Sequence, residues 1–148
     1  MVDVSAKPLS KRTAVACGKI RLQRETLDLI AKDQVAKGNV LAAARIAGIQ
    51  AAKQTAQLIP LCHTLPLGEV KIEIVTSNGG AEVKCTARTI AQTGVEMQAL
   101  VGVTVTLLTI YDMCKAMDSQ MSISDVRLLQ KGKKPARSNT SGVGVTEE

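Results

Sequence analysis

The chain has 148 residues, a formal net charge of +6, one Tyr and no Phe or Trp. This length is enough for one domain that buries an aliphatic core without disulfides or a structural metal. The positive charge indicates an anionic partner, either nucleic acid or a small phosphorylated substrate. Proteins that bind single-stranded nucleic acid stack bases on aromatic side chains, so we expect no nucleic-acid partner.

Cysteine and histidine are too scattered to predict a metal site. The four cysteines show no CxxC spacing, and the only histidine, His63, directly follows Cys62. Isolated cysteines in a reducing compartment are usually small buried hydrophobes, and structural zinc sites use separated ligand pairs. We therefore expect no metal. The N-terminal segment MVDVSAKPLSKR is polar from its third residue, which predicts no secretory signal, no membrane span and a cytoplasmic location.

The first part of the chain predicts one strand and two helices. Apolar alternation predicts a strand from Thr13 to Leu22, and helical spacing predicts a short helix from Arg24 to Lys32. Asn39 is a favourable N-cap for an alanine-rich helix that runs from Val40 to about Leu58 and ends before Pro60. The chain therefore begins as a strand followed by two helices.

The loop from Ile59 to Leu67, IPLCHTLPL, is apolar and contains two prolines and the only histidine. Loops are usually polar, and functional residues often lie on loops that a rigid scaffold holds in place. This loop is therefore suited to form the wall of a pocket and to present His63. The alternative is a purely structural role for His63.

The second part predicts three strands and a long helix. Alternation in Glu69–Thr76 and Ala81–Ile90 predicts a β-hairpin, and a last strand is predicted from Ser122 to Leu129. From Lys131 the periodicity is lost, which predicts a catalytic domain of residues 1–130 and a flexible basic tail of residues 131–148. The order of elements matches the βαββαβ plan with one extra helix in the first crossover. This predicts an α+β, ferredoxin-like sandwich with an antiparallel sheet and helices on one face.

The long helix lies between Thr93 and Asp118. Its uncharged stretch is shorter than the about 20 residues that span a bilayer, so we expect the core helix of a soluble domain. Thr93 and Glu96 have the spacing of a capping box. Four polar residues fall on one stripe of the helix: Gln98, Thr109, Asp112 and Lys115. Such a stripe on a core helix often lines a site. The alternative is that Asp112 and Lys115, three residues apart, form only a surface ion pair that stabilises the helix by a few tenths of a kcal/mol.

Three stretches of the sequence match one enzyme family. They are Leu58-Ile59-Pro60-Leu61-Cys62-His63, Thr93-Gly94-Val95-Glu96-Met97 and Leu108-Thr109-Ile110-Tyr111-Asp112-Met113-Cys114-Lys115-Ala116. On these stretches the chain resembles the cyclic pyranopterin monophosphate synthases of molybdenum cofactor biosynthesis, and the resemblance runs from Met1 to about Lys131. It implies a diphosphate-releasing lyase without a cofactor, which converts 3',8-cyclo-7,8-dihydroguanosine 5'-triphosphate to cyclic pyranopterin monophosphate.

The resemblance also implies roles for individual residues. Asp112 and Lys115 occupy the positions of the family's catalytic pair, and Lys37 matches a lysine implicated in catalysis. Asp112 would position or deprotonate Lys115, and neighbouring cations would lower the pKa of a lysine into a useful range. The positions implied to bind substrate are Leu61, Cys62, His63, Glu96, Met97, Gln98, Arg12, Lys53 and Lys131. Family members form a trimer of dimers with sites at subunit interfaces, which implies a homohexamer.

The sequence departs from the family pattern at three places. Gln98 stands where the family usually has Glu, and Thr64 stands where it usually has proline. Lys131-Gly132-Lys133-Lys134-Pro135 replaces a glycine-rich tail. Two alternative functions are therefore kept. One is a non-catalytic nucleotide-binding relative, and the other is a basic nucleic-acid-binding domain whose affinity would fall steeply with salt.

Overall fold

The structure, a computed structural model, describes residues 1–136. The elements in chain order are β1 (Ser10–Arg21), α1 (Arg24–Ala31), α2 (Val40–Lys53), α3 (Thr55–Leu58), β2 (Leu67–Ser77), β3 (Gly80–Ala91), α4 (Glu96–Cys114) and β4 (Ser122–Pro135). Every strand and helix predicted from the sequence is present, with differences at the ends of several of them.

The four strands form one antiparallel sheet in the order β2-β3-β1-β4. The helix α4 packs against β1, β3 and β4, and α2 packs against β2 and α4. This arrangement confirms the predicted α+β class and is consistent with a ferredoxin-like fold. The core is aliphatic, as the composition requires, and its largest fully buried apolar side chains are Ile20, Val83, Val95, Val103, Leu107 and Ile110.

Small residues on β1 allow α4 to lie close to the sheet. Ala14 and Ala16 are fully buried, whereas Val15 is only half-buried. A Cβ atom on Gly18 would lie 2.7 Å from Cδ1 of Leu107 on α4. The residues of β1 nearest the helix are therefore small, and the apolar residues Cys17, Ile20 and Leu22 of this segment are also buried.

The cysteines behave largely as predicted. All four are free, and Cys17, Cys85 and Cys114 are buried, while Cys62 is half-buried. Burial raises the pKa of the Cys85 thiol to about 12, which leaves it un-ionised at neutral pH. These three buried cysteines therefore act as small core residues.

The predicted helix from Val40 to about Leu58 is interrupted at Gln54. Asn39 caps α2 as expected, because its Oδ1 accepts the N–H of Ala42 at 2.8 Å. At the other end, the hydroxyl of Thr55 donates to the main-chain oxygens of Ala51 and Ala52 at 3.2 and 3.0 Å. This hydroxyl competes with backbone N–H groups for the last carbonyls of α2, so the helix ends at Lys53 and α3 is a separate turn.

The predicted capping box at Thr93 and Glu96 was wrong. The helix α4 begins at Glu96, and its N-cap is Val95, whose side chain makes no capping hydrogen bond. Glu96 therefore occupies the first helical position rather than the third, and Thr93 lies two residues before the cap. The carboxylate of Glu96 lies over Gly94, where a Cβ atom would overlap it.

The last strand is longer than predicted. Residues 131–135, which the sequence pattern assigned to a flexible tail, continue β4 and pair with β1 as far as Pro135 opposite Ser10. Backbone pairing with β1 needs no apolar side chains, and lysines are common on edge strands because they discourage pairing with another chain. The rest of the predicted tail, residues 137–148, lies outside the described residues.

The helix α4 is long and apolar enough, by composition, to cross a membrane. In the fold it is the central core helix, with ten of its residues buried between the sheet and α2. Its apolar composition is explained by this packing, as the sequence predicted.

The helices α2 and α4 approach each other at two glycines. A Cβ atom on Gly48 would overlap the hydroxyl of Thr106 and would lie 2.8 Å from the main-chain oxygen of Gly102. A Cβ atom on Gly102 would lie 2.8 Å from Sγ of Cys85 on β3. The position of α4 between α2 and the sheet therefore requires glycine at both sites.

We predict that Gly48→Ala destabilises the protein by about 1–2 kcal/mol. Alanine favours a helix over glycine by about 1 kcal/mol. Overpacking costs typically about 1–3 kcal/mol, and the overlap with both a side chain and the backbone of α4 places Gly48 in the upper part of this range, at about 2–3 kcal/mol. Urea denaturation at fixed protein concentration measures the difference. Gly68→Ala is the control, since a Cβ atom there would meet only Arg88 O at 3.7 Å. A Gly48→Ala variant as stable as the parent would contradict the close approach of the two helices.

Candidate active site

Lys37, Asp112 and Lys115 meet in one ion-pair cluster. The Nζ of Lys37 lies 2.8 Å from Oδ2 of Asp112, and the Nζ of Lys115 lies 2.7 Å from Oδ1 of the same carboxylate. Lys37 and Asp112 are 75 residues apart in the sequence, so only the fold brings them together. The three side chains are about half exposed, which leaves them accessible to a ligand. This cluster contains all three residues that the sequence predicted to be catalytic.

The loop between α1 and α2 holds Lys37 in place. Gly38 has a φ of +97°, a conformation that favours glycine, and Asn39 donates through Nδ2 to Oδ2 of Asp33 at 3.1 Å. Lys37 also donates to the main-chain oxygen of Asp112 at 3.1 Å. That oxygen is one of the last carbonyls of α4, where a positive charge is favourable.

The segment after Lys115 is anchored by the buried carboxylate of Asp118. Its Oδ2 accepts the N–H of Gln23 at 2.8 Å and the hydroxyl of Thr26 at 3.2 Å, and its Oδ1 accepts the N–H of Gln120 at 3.1 Å. The N-cap of α1 is Gln23, whose own side chain makes no capping hydrogen bond. Asp118 thus caps α1 from a distant part of the chain and ties the end of α4 to the helix that leads to Lys37.

The cluster sets the charge of its members. The hydrogen bonds from Lys115 and then Lys37 lower the pKa of Asp112 to about 2. The hydrogen bond to Asp112 raises the pKa of Lys115 above its ordinary value. At neutral pH an ionised Asp112 therefore faces a protonated Lys115. The expected lowering of a lysine pKa is wrong for Lys115 in the free protein, where Asp112 positions this lysine and does not deprotonate it.

The apolar loop before β2 lies against the first turn of α4. Nε2 of Gln98 lies 3.8 Å from Sγ of Cys62, a distance compatible with a weak hydrogen bond to sulfur. Gln98 is only 2% exposed, and its Oε1 is buried without a hydrogen-bond partner among residues 1–136. The chain neighbours Leu61 and Met97 are exposed. Gln98 therefore keeps one unused buried acceptor next to the loop.

His63, the next residue of the loop, contacts the start of the chain. Its Nε2 lies 2.8 Å from the main-chain oxygen of Val2. The ring is half-buried. The structure therefore ties the predicted binding loop to the N-terminal segment, a contact that the sequence did not indicate.

Basic residues from β1 and β4 line a cleft of about 320 Å³ beside the start of α4. Its lining is Arg12, Thr13, Gly94, Glu96, Lys131, Gly132 and Lys133. Nζ of Lys131 lies 3.8 Å from Oε1 of Glu96. Arg12 donates through Nη2 to the main-chain oxygen of Gln92 at 3.0 Å, and its Nε is buried without a partner within the described part of the chain. Three cations against one carboxylate suit this cleft to a phosphate chain.

The sequence did not identify every residue of this cleft. Lys133 lies opposite Arg12 in the β1–β4 pairing, but its lysine-rich surroundings had been assigned to the tail. The clustering of three lysines within residues 131–134 was the available signal. A wider groove of about 510 Å³, which shares Arg12, Thr13 and Gly132, adds Lys11, Arg88 and Lys134. The basic surface is therefore larger than the three predicted cations.

The predicted polar stripe of α4 is divided within one chain. Gln98 and Asp112 lie near opposite ends of the helix, about 21 Å apart along its axis at a rise of about 1.5 Å per residue. Between them, the hydroxyl of Thr109 donates to the main-chain oxygen of Val105 at 2.7 Å and stays within the helix. Lys53 lies in a different cleft, with Leu65 and other apolar residues. The predicted residues thus form an ion-pair cluster at one end of α4, a loop and basic cleft at the other end, and a separate lysine.

A lysine-aspartate-lysine cluster and a basic cleft on an α+β fold are chemically suited to a small anionic ligand, and this combination is typical of an enzyme that acts on small molecules. A model of the MoaC family matches residues 1–133. The cyclic pyranopterin monophosphate synthase of Parvibaculum lavamentivorans is 52% identical over 133 residues, which cover 88% of this chain and 83% of that protein. The corresponding synthase of Thermomicrobium roseum is 50% identical over 133 residues, covering 88% and 80%. Cyclic pyranopterin monophosphate synthase 3 of Mycobacterium tuberculosis is 52% identical over 134 residues, covering 88% and 75%. The chain belongs to the MoaC family.

We predict that Asp112→Asn lowers the pKa of Lys115. Asp112 raises this pKa, so removal of the carboxylate charge shifts it back down, and the nearby Lys37 ammonium then opposes protonation as well. Titration of the lysine side chains by NMR measures the shift. In the parent, a carboxyl group with a pKa of about 2 and a lysine with a raised pKa keep the cluster charged throughout the neutral range.

Asp125→Asn is the matched control for this titration, because it removes a carboxylate that lies 3.6 Å from a different lysine, Lys19. We expect it to leave the titration of Lys115 unchanged. An unchanged Lys115 pKa in Asp112→Asn would show that the cluster does not form in solution.

Proposed function

We propose that the protein converts 3',8-cyclo-7,8-dihydroguanosine 5'-triphosphate to cyclic pyranopterin monophosphate and diphosphate, a lyase reaction of molybdenum cofactor biosynthesis. The observation that carries this proposal is the contact of Lys37 and Lys115 with the single carboxylate of Asp112. These are the positions to which the family resemblance assigns catalysis. Relatives of about half-identical sequence are named for this product.

The basic cleft would bind the triphosphate. Release of diphosphate and closure of a cyclic phosphate both develop negative charge, which fixed cations stabilise. Arg12, Lys131 and Lys133 supply three such cations around one cleft. In the free protein Glu96 lies near Lys131, and phosphate oxygens would take over this contact in the complex. Lys133 therefore joins the predicted binding residues in this proposal.

The ion-pair cluster would carry the proton transfers. Opening and closing the guanine-derived ring requires protons to move, and positioned acids and bases accelerate such steps by about 10²–10⁴-fold. Protonated Lys115 is the general acid in this proposal, and Asp112 fixes its position. Lys37 is a second ammonium group on the same carboxylate and lies close enough to share the developing charge. The rearrangement needs no redox cofactor.

We further propose that a second copy of the chain completes the active site. Within one chain, the cluster and the basic cleft lie at opposite ends of α4. Along this helix Met97, Leu108 and Tyr111 are 37%, 52% and 37% exposed, an apolar surface suited to a partner chain. A homohexamer built as a trimer of dimers, as the resemblance implies, would place the cluster of one chain next to the cleft of another. We also propose that the enzyme is cytoplasmic and binds neither a membrane nor nucleic acid.

One observation favours the alternative of a non-catalytic nucleotide-binding relative. Gln98 replaces the usual Glu, and its side chain is buried with one unpaired acceptor. A neutral amide at this depth costs less to bury than a carboxylate, but it binds a guanine-type group less strongly. Turnover distinguishes the two functions, because both predict binding of the nucleotide.

We predict that Lys115→Ala and Lys37→Ala each lower kcat by about 10²–10⁴-fold in the conversion of freshly made cyclised dihydroguanosine triphosphate. Lys71→Ala is the matched control, since Lys71 forms an equally exposed ion pair, with Glu73 at 2.9 Å, on β2. Gln98→Glu restores the residue that the family usually has at this position. A gain in activity would show that Gln98 lowers the activity of this protein without abolishing it. Nucleotide binding by the parent without any turnover would instead establish the non-catalytic alternative.

We predict that mixing two inactive variants restores activity, because the proposed site combines the cluster of one chain with the cleft of another. Lys115→Ala damages the cluster and Arg12→Ala damages the cleft, so in a mixed pair one of the two sites is intact. Random co-assembly should restore up to about a quarter of the parental activity. Lys115→Ala mixed with Lys37→Ala is the control, because both changes affect the same cluster and no intact site can form. Failure of the first mixture to regain activity, in oligomers shown to be mixed, would place each site within one chain.

A further inference from the structure

The first residues of the chain fix the protonation of His63. Nε2 of His63 lies 2.8 Å from the main-chain oxygen of Val2. A carbonyl oxygen carries no hydrogen, so Nε2 must donate and must hold the proton. In the neutral ring the lone pair is then on Nδ1, and residues 1–136 make no hydrogen bond to that nitrogen. The contact therefore selects one of the two tautomers of the only histidine in the chain.

The segment around Val2 has enough internal order to hold this carbonyl in place. Oδ1 of Asp3 accepts both the N–H and the hydroxyl of Ser5, at 2.8 and 2.7 Å, and the N–H of Lys7 donates to the main-chain oxygen of Val4 at 3.0 Å. The hydrogen bonds from Ser5 lower the pKa of Asp3, whose carboxylate is a charged group near the ring. The turn thus directs the chain just after Val2.

The proposed site has few groups that can accept a hydrogen bond. Lysine and arginine side chains only donate, and these residues make up most of the cluster and the cleft. The carboxylate of Asp112 already faces two lysines, and one oxygen of Glu96 lies 3.8 Å from Nζ of Lys131. A guanine-derived ring carries several N–H groups, each of which needs an acceptor when it is removed from water. Within the binding loop and the adjoining helix turn, two side-chain acceptors that receive no hydrogen bond from residues 1–136 are Oε1 of Gln98 and Nδ1 of His63.

We propose, on the basis of the function proposed above, that the carbonyl of Val2 positions His63 as its Nε2–H tautomer, so that Nδ1 accepts a hydrogen bond from an N–H or O–H group of the substrate. The opposite tautomer would present a donor at the same place and would leave the substrate group unpaired. Val2 acts only through the ring and is a positioning residue. The N-terminal segment is thereby part of the binding site.

The tautomer is measured directly by NMR of the full chain labelled with ¹⁵N-histidine, because the spectrum contains a single imidazole. We expect long-range ¹H–¹⁵N correlations that place the proton on Nε2 in the parent. Deletion of residues 2–5 should give a mixture of tautomers. Asp3→Asn keeps the Oδ1 acceptor for Ser5 and removes only the charge, so this control should retain the parental pattern. A proton on Nδ1 in the parent, or the same single tautomer after the deletion, would overturn the role of Val2.

A matched pair of substitutions tests the acceptor. His63→Asn keeps an amide near the position of Nδ1, whereas His63→Gln keeps one near Nε2. We expect His63→Asn to hold its KM within about tenfold of the parent and His63→Gln to raise KM by more than about tenfold, with similar melting temperatures. The reverse order would overturn the assignment of Nδ1 as the group that meets the substrate.

Substrate addition separates this inference from the proposed function. Cyclised dihydroguanosine triphosphate added to the labelled Lys115→Ala variant should shift the Nδ1 resonance, while turnover is measured on the parent. Turnover without a shift at Nδ1 would overturn the inference and leave the function standing. A parent with the Nε2–H tautomer but no turnover would overturn the function, and with it the assignment of Nδ1 to this substrate.

Discussion

At the proposed site, the carboxylate of Asp112 connects the end of α4 to the loop between α1 and α2. One oxygen faces Lys115 three residues further along α4, and the other faces Lys37 from the loop between α1 and α2. The hydrogen bonds from Lys115 and Lys37, and then the charges of these two ammonium groups, lower the pKa of Asp112 to about 2. The cluster is exposed, so its ion pairs add little to stability. The positions of Lys37 and Lys115 are set instead by the backbone segments that carry them. The hydrogen bonds to the carboxylate of Asp118 and the turn at Gly38 hold these segments in place.

The second constraint is the close packing of α4. Gly48 and Gly102 allow α2 and α4 to touch through their backbones, and Gly18 allows α4 to approach β1. A helix fixed on both sides in this way cannot move along its axis without overlap, because protein interiors are close-packed. The positions of Gln98 at one end and Asp112 at the other are therefore set by the same core contacts. Core packing and site geometry are coupled through one helix.

The sequence predicted what periodicity and local spacing encode. Strand alternation located all four strands, and the spacing of three between Asp112 and Lys115 predicted a pair on one helix face. The contribution of Lys37 followed only from the family resemblance, since no local pattern joins residues 75 apart. The errors have physical causes as well. The hydroxyl of Thr55 ends α2 early, and β4 continues through lysines because an edge strand is held by backbone pairing alone. The contact of Val2 with His63 leaves no trace in composition or periodicity.

The distribution of donors and acceptors explains why distant parts of the chain must meet at this site. A triphosphate needs donors, and in the proposed site Arg12, Lys131 and Lys133 would supply them from two strands that pair directly. A guanine-derived ring also needs acceptors, which cations cannot provide and which a free carboxylate would supply only by adding a buried negative charge. Neutral acceptors such as an imidazole nitrogen or an amide oxygen avoid that charge, but each must be oriented by a partner. In the proposed site, orientation of His63 by Val2 and of Gln98 by Cys62 would meet this requirement without adding charge.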